Sequence, residues 1–179
     1  MRIVGGIYRH RIINYPNDAE HIRPTKDRIR EAIFSALGDL SGFKGLDLYS
    51  GSGAMGIEAL SRGASFMTFV DKNKVAISTT KDNISSLGIK NAEVLFMEDV
   101  SAIKLFIQRK DKFDIVFLDP PYKLGQYEYI INLLIDNDLL SEHAIIVTEC
   151  DHDVNISSSL YNNKRDYKYG EIQVSILRR

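Results

Sequence analysis

Apolar residues recur in two alternating patterns along the chain, short unbroken runs and longer stretches with a spacing of three and four. The runs fall at 45–48, 66–71, 94–97, 113–118 and 144–149, and their length and polar borders predict buried strands. The spaced stretches lie between them and predict helices over 54–60, 75–87, from a Ser101 cap to about Arg109, and over 127–135. Ile103, Phe106 and Ile107 are the inward positions expected of the helix after Ser101. A further helix precedes the first strand: Thr25 is a good N-cap, Ile29, Ala32, Ile33, Ala36 and Leu37 share one face, and Gly38 ends it. That face packs on the sheet and leaves Lys26, Arg28 and Arg30 for solvent or phosphate. A helix after each strand predicts an α/β fold, a parallel sheet with right-handed crossovers.

The two ends of the chain depart from this rhythm. Apolar residues cluster around Gly5 and Gly6 within 2–13, which predicts a short ribbon, and Tyr15-Pro16-Asn17-Asp18 predicts a turn. Residues 154–169 are polar and turn-rich, and 170–177 alternate as a final strand that makes an antiparallel hairpin at one edge of the sheet. The expected organisation is one domain over 1–179, with 1–24 a basic ribbon or arm and 25–179 the α/β core.

Composition narrows the class. With 179 residues, 44% hydrophobic and 26% charged, the chain has material for one sizeable core and is not a disordered polymer. No apolar run reaches membrane length and residues 1–6 lack the core of a signal peptide, so a cytoplasmic location without membrane contact is expected. The single Cys150 excludes an internal disulfide and, ending a strand pattern, is expected to be buried. His10, His21, His143 and His152 have no metal-ligand spacing, and Asp151-His152-Asp153 fits a polar turn, so no metal is expected. The net charge is -1, yet residues 1–30 hold seven basic and three acidic residues. A basic arm on an acidic body suits local contact with a polyanion, because phosphate attraction acts within a Debye length of roughly 8 Å.

Candidate chemistry gathers at two motifs. In Gly45-Leu46-Asp47-Leu48-Tyr49-Ser50-Gly51-Ser52-Gly53-Ala54-Met55-Gly56 a strand feeds a helix through glycines, with Gly51, Gly53 and Gly56 at dinucleotide-fingerprint spacing. Asp47 lies inside that strand, and Asp71, Asp99 and Asp119 close the next three runs, so four carboxylates gather at the carboxyl ends of parallel strands. They repel a pyrophosphate and attract an ammonium or sulfonium by about a few kcal/mol. S-adenosylmethionine fits better than NAD, and Asp47 speaks against a nicotinamide oxidoreductase.

The second motif is Asp119-Pro120-Pro121-Tyr122. Two prolines after a buried strand hold the backbone extended, so the Asp119 carboxylate and the Pro120 carbonyl both face the crevice. An exocyclic amine on a nucleobase is a poor nucleophile because its lone pair is delocalised. Two acceptors gripping its hydrogens pull the nitrogen toward tetrahedral geometry and free the lone pair for in-line attack on a methyl sulfonium. Tyr122 offers a face for stacking the base, worth roughly 1–3 kcal/mol in nucleic-acid systems.

Three segments resemble the RsmD-type family of bacterial methyltransferases. They are Arg23-Pro24-Thr25 with residues 28–34, residues 46–53 with 56–64, and the tetrapeptide at 119–122. The resemblance implies a class I, Rossmann-like fold: a seven-stranded sheet, mostly parallel with a reversed last strand, and helices on both faces. It implies S-adenosylmethionine-dependent methylation of guanine N2 in 16S ribosomal RNA. A lone chain of this size has little surface for reading RNA, so a partly or fully assembled small subunit is the expected substrate, and a monomer is the default state. The resemblance places Asp47 at the amino group of the cofactor, Tyr49, Ser50, Gly51 and Gly53 along its methionine part, Asp71 at the ribose, and Asp99 with the backbone of Val100 at the adenine. Family members often have Glu where Asp71 stands. Asp119, Pro120 and Tyr122 become the catalytic set, and Arg9, Arg11, Arg23, Thr25, Lys26 and Arg28 the RNA-facing set, with Thr25 and its neighbours alternatively covering the cofactor. The tetrapeptide is shared with enzymes acting on DNA adenine N6, so adenine in DNA or a protein glutamine is the alternative substrate. A further alternative is an RNA-binding module without turnover.

Overall fold

The structure is a computed structural model that describes residues 1–16, 27–120, 126–150, 161 and 163–179. In chain order the elements are α1 (Asp27–Leu37), β1 (Lys44–Asp47), α2 (Ala54–Ser61), β2 (Phe66–Asp71), α3 (Lys74–Leu87), β3 (Ala92–Phe96), α4 (Asp99–Arg109), β4 (Phe113–Leu118), α5 (Gln126–Asp136), β5 (Leu140–Cys150), β6 (Asn163–Tyr169) and β7 (Ile172–Arg178). The strands form one seven-stranded sheet in the order β3-β2-β1-β4-β5-β7-β6. β1 to β5 pair in parallel, whereas β7 runs antiparallel to both β5 and β6. This is the class I methyltransferase arrangement with a reversed last strand.

The central strands are covered on both faces, which is why they read as unbroken apolar runs. One core joins Ile115, Phe117, Ile145 and Val147 to α1, α2 and Ile3 and Ile13 of the N-terminal ribbon. The other joins Leu46, Leu48, Val116 and Leu118 to α4 and α5. Strand order reverses between β1 and β4, so the chain leaves these neighbours in opposite directions and opens a crevice at their carboxyl ends. Cys150 is buried, as its place in the strand pattern implied.

The ribbon is a single antiparallel bridge, Arg2 to Ile12, with Ile3 N donating to Arg11 O at 3.0 Å and Ile13 N to Met1 O at 3.0 Å. It is fastened to α2. Val4 N donates to Glu58 Oε2 at 2.9 Å, Ile7 N to Ser61 O at 2.8 Å and Tyr8 N to Ser61 Oγ at 2.9 Å.

Four expectations need correction. Arg30 is not left for solvent; it is fully buried, ion-paired to Asp27 at 3.0 Å and Glu58 at 3.5 Å, and bonded to the carbonyl of Arg2. Its α1 neighbours alone do not reveal this, because Glu58 arrives from α2. The helix expected to start at Ser101 starts at Asp99, with Glu98 at the N-cap position. Ile107 is 38% exposed rather than inward. Within the polar stretch 154–169, residues 163–169 form β6, an edge strand whose one-sided cover removes the apolar run. Thr25 as a helix cap and the turn residues after Pro16 lie outside the described residues.

A candidate active site at the carboxyl ends of the strands

The glycine turn is held from both sides. Leu48 N donates to Phe117 O at 3.2 Å and Ser50 N to Val70 O at 3.0 Å, so the chain leaves the sheet squarely between β4 and β2. Gly51 and Gly53 then adopt φ of 54° and 78°, left-handed values that favour glycine. Thr80 Oγ1 bonds Gly51 O at 3.0 Å, Asn83 Nδ2 bonds Ser52 O at 2.9 Å, and Asp71 Oδ2 accepts from Gly51 N at 2.9 Å. A side chain at Gly51 would meet open space, whereas one at Gly56 would sit 2.3 Å from the Phe69 ring. Gly51 therefore keeps the backbone open to a ligand, and Gly56 lets α2 lie close on the sheet.

Asp47 ends β1 beneath this turn, 4% exposed, and its Oδ2 accepts from Gly56 N at 3.0 Å. Burial pushes its carboxyl up to about 7; the Gly56 amide opposes this and the nearby Asp71 charge adds to it. A buried carboxyl poised near neutrality gains from a cationic partner. Asp119 follows β4 and is exposed, and the adjoining Pro120 is buried. Asp47 and Asp119 line the same cleft, about 570 Å³ of open space shared with Tyr49, Ser50, Gly51, Tyr15 and Glu149.

Asp99 sits in an adjoining smaller recess with Leu48, Lys72, Met97 and Gln126, separated from the cleft by Tyr49, which borders both. Tyr49 Oη donates to Asp99 Oδ2 at 2.7 Å, Gln126 Nε2 donates to the same oxygen at 3.0 Å, and Val100 N donates to Asp99 Oδ1 at 2.6 Å. Burial and the Asp99 carboxylate raise the Tyr49 phenol, so it stays a neutral donor.

These residues suit S-adenosylmethionine. The Ser50 hydroxyl borders the cleft, buried and with no hydrogen-bond partner among the described residues, and the buried Oε1 of Gln126 beside the Asp99 recess is also unmatched. Such orphaned groups cost stability unless a ligand satisfies them. Asp71 uses two of its roughly four lone-pair positions on Gly51 N and Asn73 N, and keeps acceptors for hydroxyls. Among the described residues no cluster of His, Cys, Asp and Glu suits a metal ion.

Of the other residues singled out from sequence, Arg9 and Arg11 lie exposed on the ribbon and Arg28 exposed in the first turn of α1. Arg11 reaches Ser86 O at 3.3 Å. Tyr122, Arg23, Thr25 and Lys26 lie outside the described residues. Sequence reasoning missed Tyr15, Gln126 and Glu149. Tyr15 carried only a turn signal, and Gln126 and Glu149 none beyond their places in a helix and a strand.

Relatives share this frame. The family model described as Conserved hypothetical protein 95 matches residues 1–178. Ribosomal RNA small subunit methyltransferase D of Escherichia coli is 37% identical over 150 residues, 83% of this chain and 74% of the relative. The structure of Escherichia coli yhhF superposes with a TM-score of 0.85 at 30% identity, covering 100% of this chain and 97% of the other. SMU.776, crystallised with SAH, shares the fold at a TM-score of 0.70 and 16% identity, over 88% of this chain and 50% of the other. With nearly its whole length matched, the chain belongs to the Conserved hypothetical protein 95 family, the RsmD-type methyltransferases.

Proposed function

We propose that this chain methylates the exocyclic N2 of a guanine in 16S ribosomal RNA during maturation of the small subunit, acting as a monomer on a partly or fully assembled particle. The observation that carries the proposal is that Asp119 lines the same cleft as Asp47 and the glycine loop. Support for the substrate comes from the relative named ribosomal RNA small subunit methyltransferase D.

S-adenosylmethionine, when bound, supplies an electrophilic methyl group on a sulfonium. Asp47 would hold its ammonium, the Ser50 hydroxyl and the backbone of Tyr49, Gly51 and Gly53 would cradle the methionine part, Asp71 would take the ribose hydroxyls, and Asp99, held by the Val100 amide, would take the adenine. Gln126 fixes the Asp99 carboxylate for that task through its bond to Oδ2. Beside them Asp119 and the Pro120 carbonyl accept hydrogen bonds from the two amine N–H groups and localise the nitrogen lone pair, the proton shed once the N–C bond forms leaves past the exposed Asp119 to water, and Tyr122 stacks on the base. Catalysis is positioning and electrostatics, with no strong base required. Arg9, Arg11, Arg23, Lys26 and Arg28 meet RNA phosphates.

The test uses labelled cofactor with separate pools of assembled subunits, protein-free RNA, DNA and protein, followed by digestion to nucleosides or amino acids. N2-methylguanosine from small-subunit RNA is the expected product. Label in N6-methyladenine of DNA or in glutamine overturns the substrate assignment. Quantitative methylation of protein-free RNA counts against an assembled particle as substrate.

A further inference from the structure

Tyr15 comes from outside the α/β core, yet it lines the cleft together with Asp47 and Asp119. It does not arrive there loosely. Ile13 is 2% exposed in the core, and Asn14 is pinned on both sides by Asn83, whose Oδ1 accepts from Asn14 N at 2.7 Å and whose Nδ2 donates to Asn14 O at 3.0 Å. The same Asn83 amide bonds Ser52 O in the glycine turn at 2.9 Å. One buried side chain therefore sets the distance between the arm and the cradle, and Tyr15 is the next residue along.

The Tyr15 phenol feels the charge of Asp119. Burial, with that charge added, pushes it up to about 12, so it remains a neutral O–H at any working pH. Asp119 itself is exposed at a strand end. The cleft brings the phenol and this carboxylate into one lining, and a catalytic constellation tolerates only about 0.5 Å of displacement. The carboxylate's roughly four lone-pair positions let one serve a phenol while others serve an amine. Elsewhere along the cleft Tyr49 does not compete for this role, since its hydroxyl donates to Asp99.

We infer that Tyr15 is a positioning residue of the transfer step, its phenol holding the Asp119 carboxylate in the orientation that grips the target amine. The inference rests on the methyl-transfer reading above. It makes the N-terminal arm a wall of the active site as well as a surface for RNA.

Kinetics on the RNA substrate of the wild-type chain test it. Tyr15→Phe, which keeps the ring, lowers kcat about tenfold, within the range that misplacing a catalytic group costs. KM for RNA and the cofactor dissociation constant stay within about twofold. A wild-type kcat, or a loss confined to KM, overturns the inference. A second measurement needs no activity: the ¹³Cζ resonance of Tyr15, assigned by its absence in Tyr15→Phe, is titrated in wild type and Asp119→Asn. The midpoint falls in Asp119→Asn if the two groups face one another, and an unchanged midpoint overturns the contact. If the wild-type chain methylates nothing, the functional reading fails, and this titration still decides the contact by itself.

Discussion

The two walls of the cleft are built in different ways. On the cradle side, the glycine turn is tied to groups from two other elements, the half-buried Asp71 of β2 and the buried Thr80 and Asn83 of α3, with Asp47 of β1 braced by Gly56. Beside it, just past the end of the neighbouring β4, stands an exposed Asp119 with a half-buried Tyr15 borrowed from the arm. The difference teaches where each wall gets its precision. The cradle is preorganised by hydrogen bonds that form whenever the core folds, whereas the Asp119 wall depends on how firmly the arm is docked.

The strongest way to break this contrast is Asp119→Ala. Methyl transfer falls by about 10³-fold, the scale of removing one electrostatic contact to a transition state. Cofactor affinity by titration calorimetry is unchanged, because the cradle is complete without Asp119. Equal loss of cofactor affinity would show that the walls are not separable.

Next in size is Glu58→Ala, which tests the docking of the arm. Glu58 is buried between Arg30 at 3.5 Å and Arg62 at 2.8 Å and accepts Val4 N of the ribbon. Removing it leaves the buried Arg30 with Asp27 as its remaining ion-pair partner among those observed and costs about 3–5 kcal/mol. Thermal unfolding midpoints fall by roughly 6–20 °C for a chain of this size. Protection of the amides of Val4, Ile7 and Tyr8 against hydrogen exchange is lost first, while the amide of Gly51 keeps its protection. Simultaneous loss at both places would make the arm and cradle one cooperative unit.

Much of this was legible from sequence, and the residues themselves show why. Asp47, Asp71 and Asp119 sit at ends of apolar runs, and a parallel sheet brings such ends together whatever the details of packing. Asp99 was legible for the same reason, although it opens α4 two residues before the expected Ser101 cap. What escaped depends on partners remote in sequence. Arg30 looked like a surface charge because the Glu58 carboxylate it meets belongs to α2, and Tyr15 looked like a turn because only the path of the arm brings it into the cleft with Asp119. The edge strand β6 was hidden for a different reason: Lys164, Arg165, Asp166 and Lys168 break the apolar run that covered strands display.

A third test sharpens the cradle side through pH. Asp47 has a carboxyl raised from 3.8 to about 7 by burial, so the folded protein binds its proton more readily than the unfolded chain does. The sign follows from proton counting: between those values stability falls as pH rises, because folding then requires burying a charge. A cationic cofactor reverses the preference, favours the ionised form and releases a proton on binding. Affinity for S-adenosylmethionine therefore rises with pH from about 5.5 to 7, by up to about tenfold per unit, and levels off above. Asp47→Asn binds more weakly at neutral pH and loses the slope. A wild-type profile flat across this range would remove Asp47 from the ammonium site.

The smallest effect belongs to the outer surface, where the arm is proposed to meet RNA. Arg9 on the ribbon and Arg28 in the first turn of α1 are exposed and make no ion pair among the described residues. Each is free to neutralise one phosphate, so each releases about one counterion when RNA binds. Arg9→Gln and Arg28→Gln each weaken RNA binding several-fold at moderate salt and flatten the plot of log affinity against log salt by about one unit. Arg109→Gln is the control, since Arg109 pairs with Glu93 at 3.0 Å beside the far edge strand β3. Its slope stays at the wild-type value. An equal change in all three would mean that RNA responds to net charge and not to this face, and the basic arm would lose its claim to present the target to the cleft.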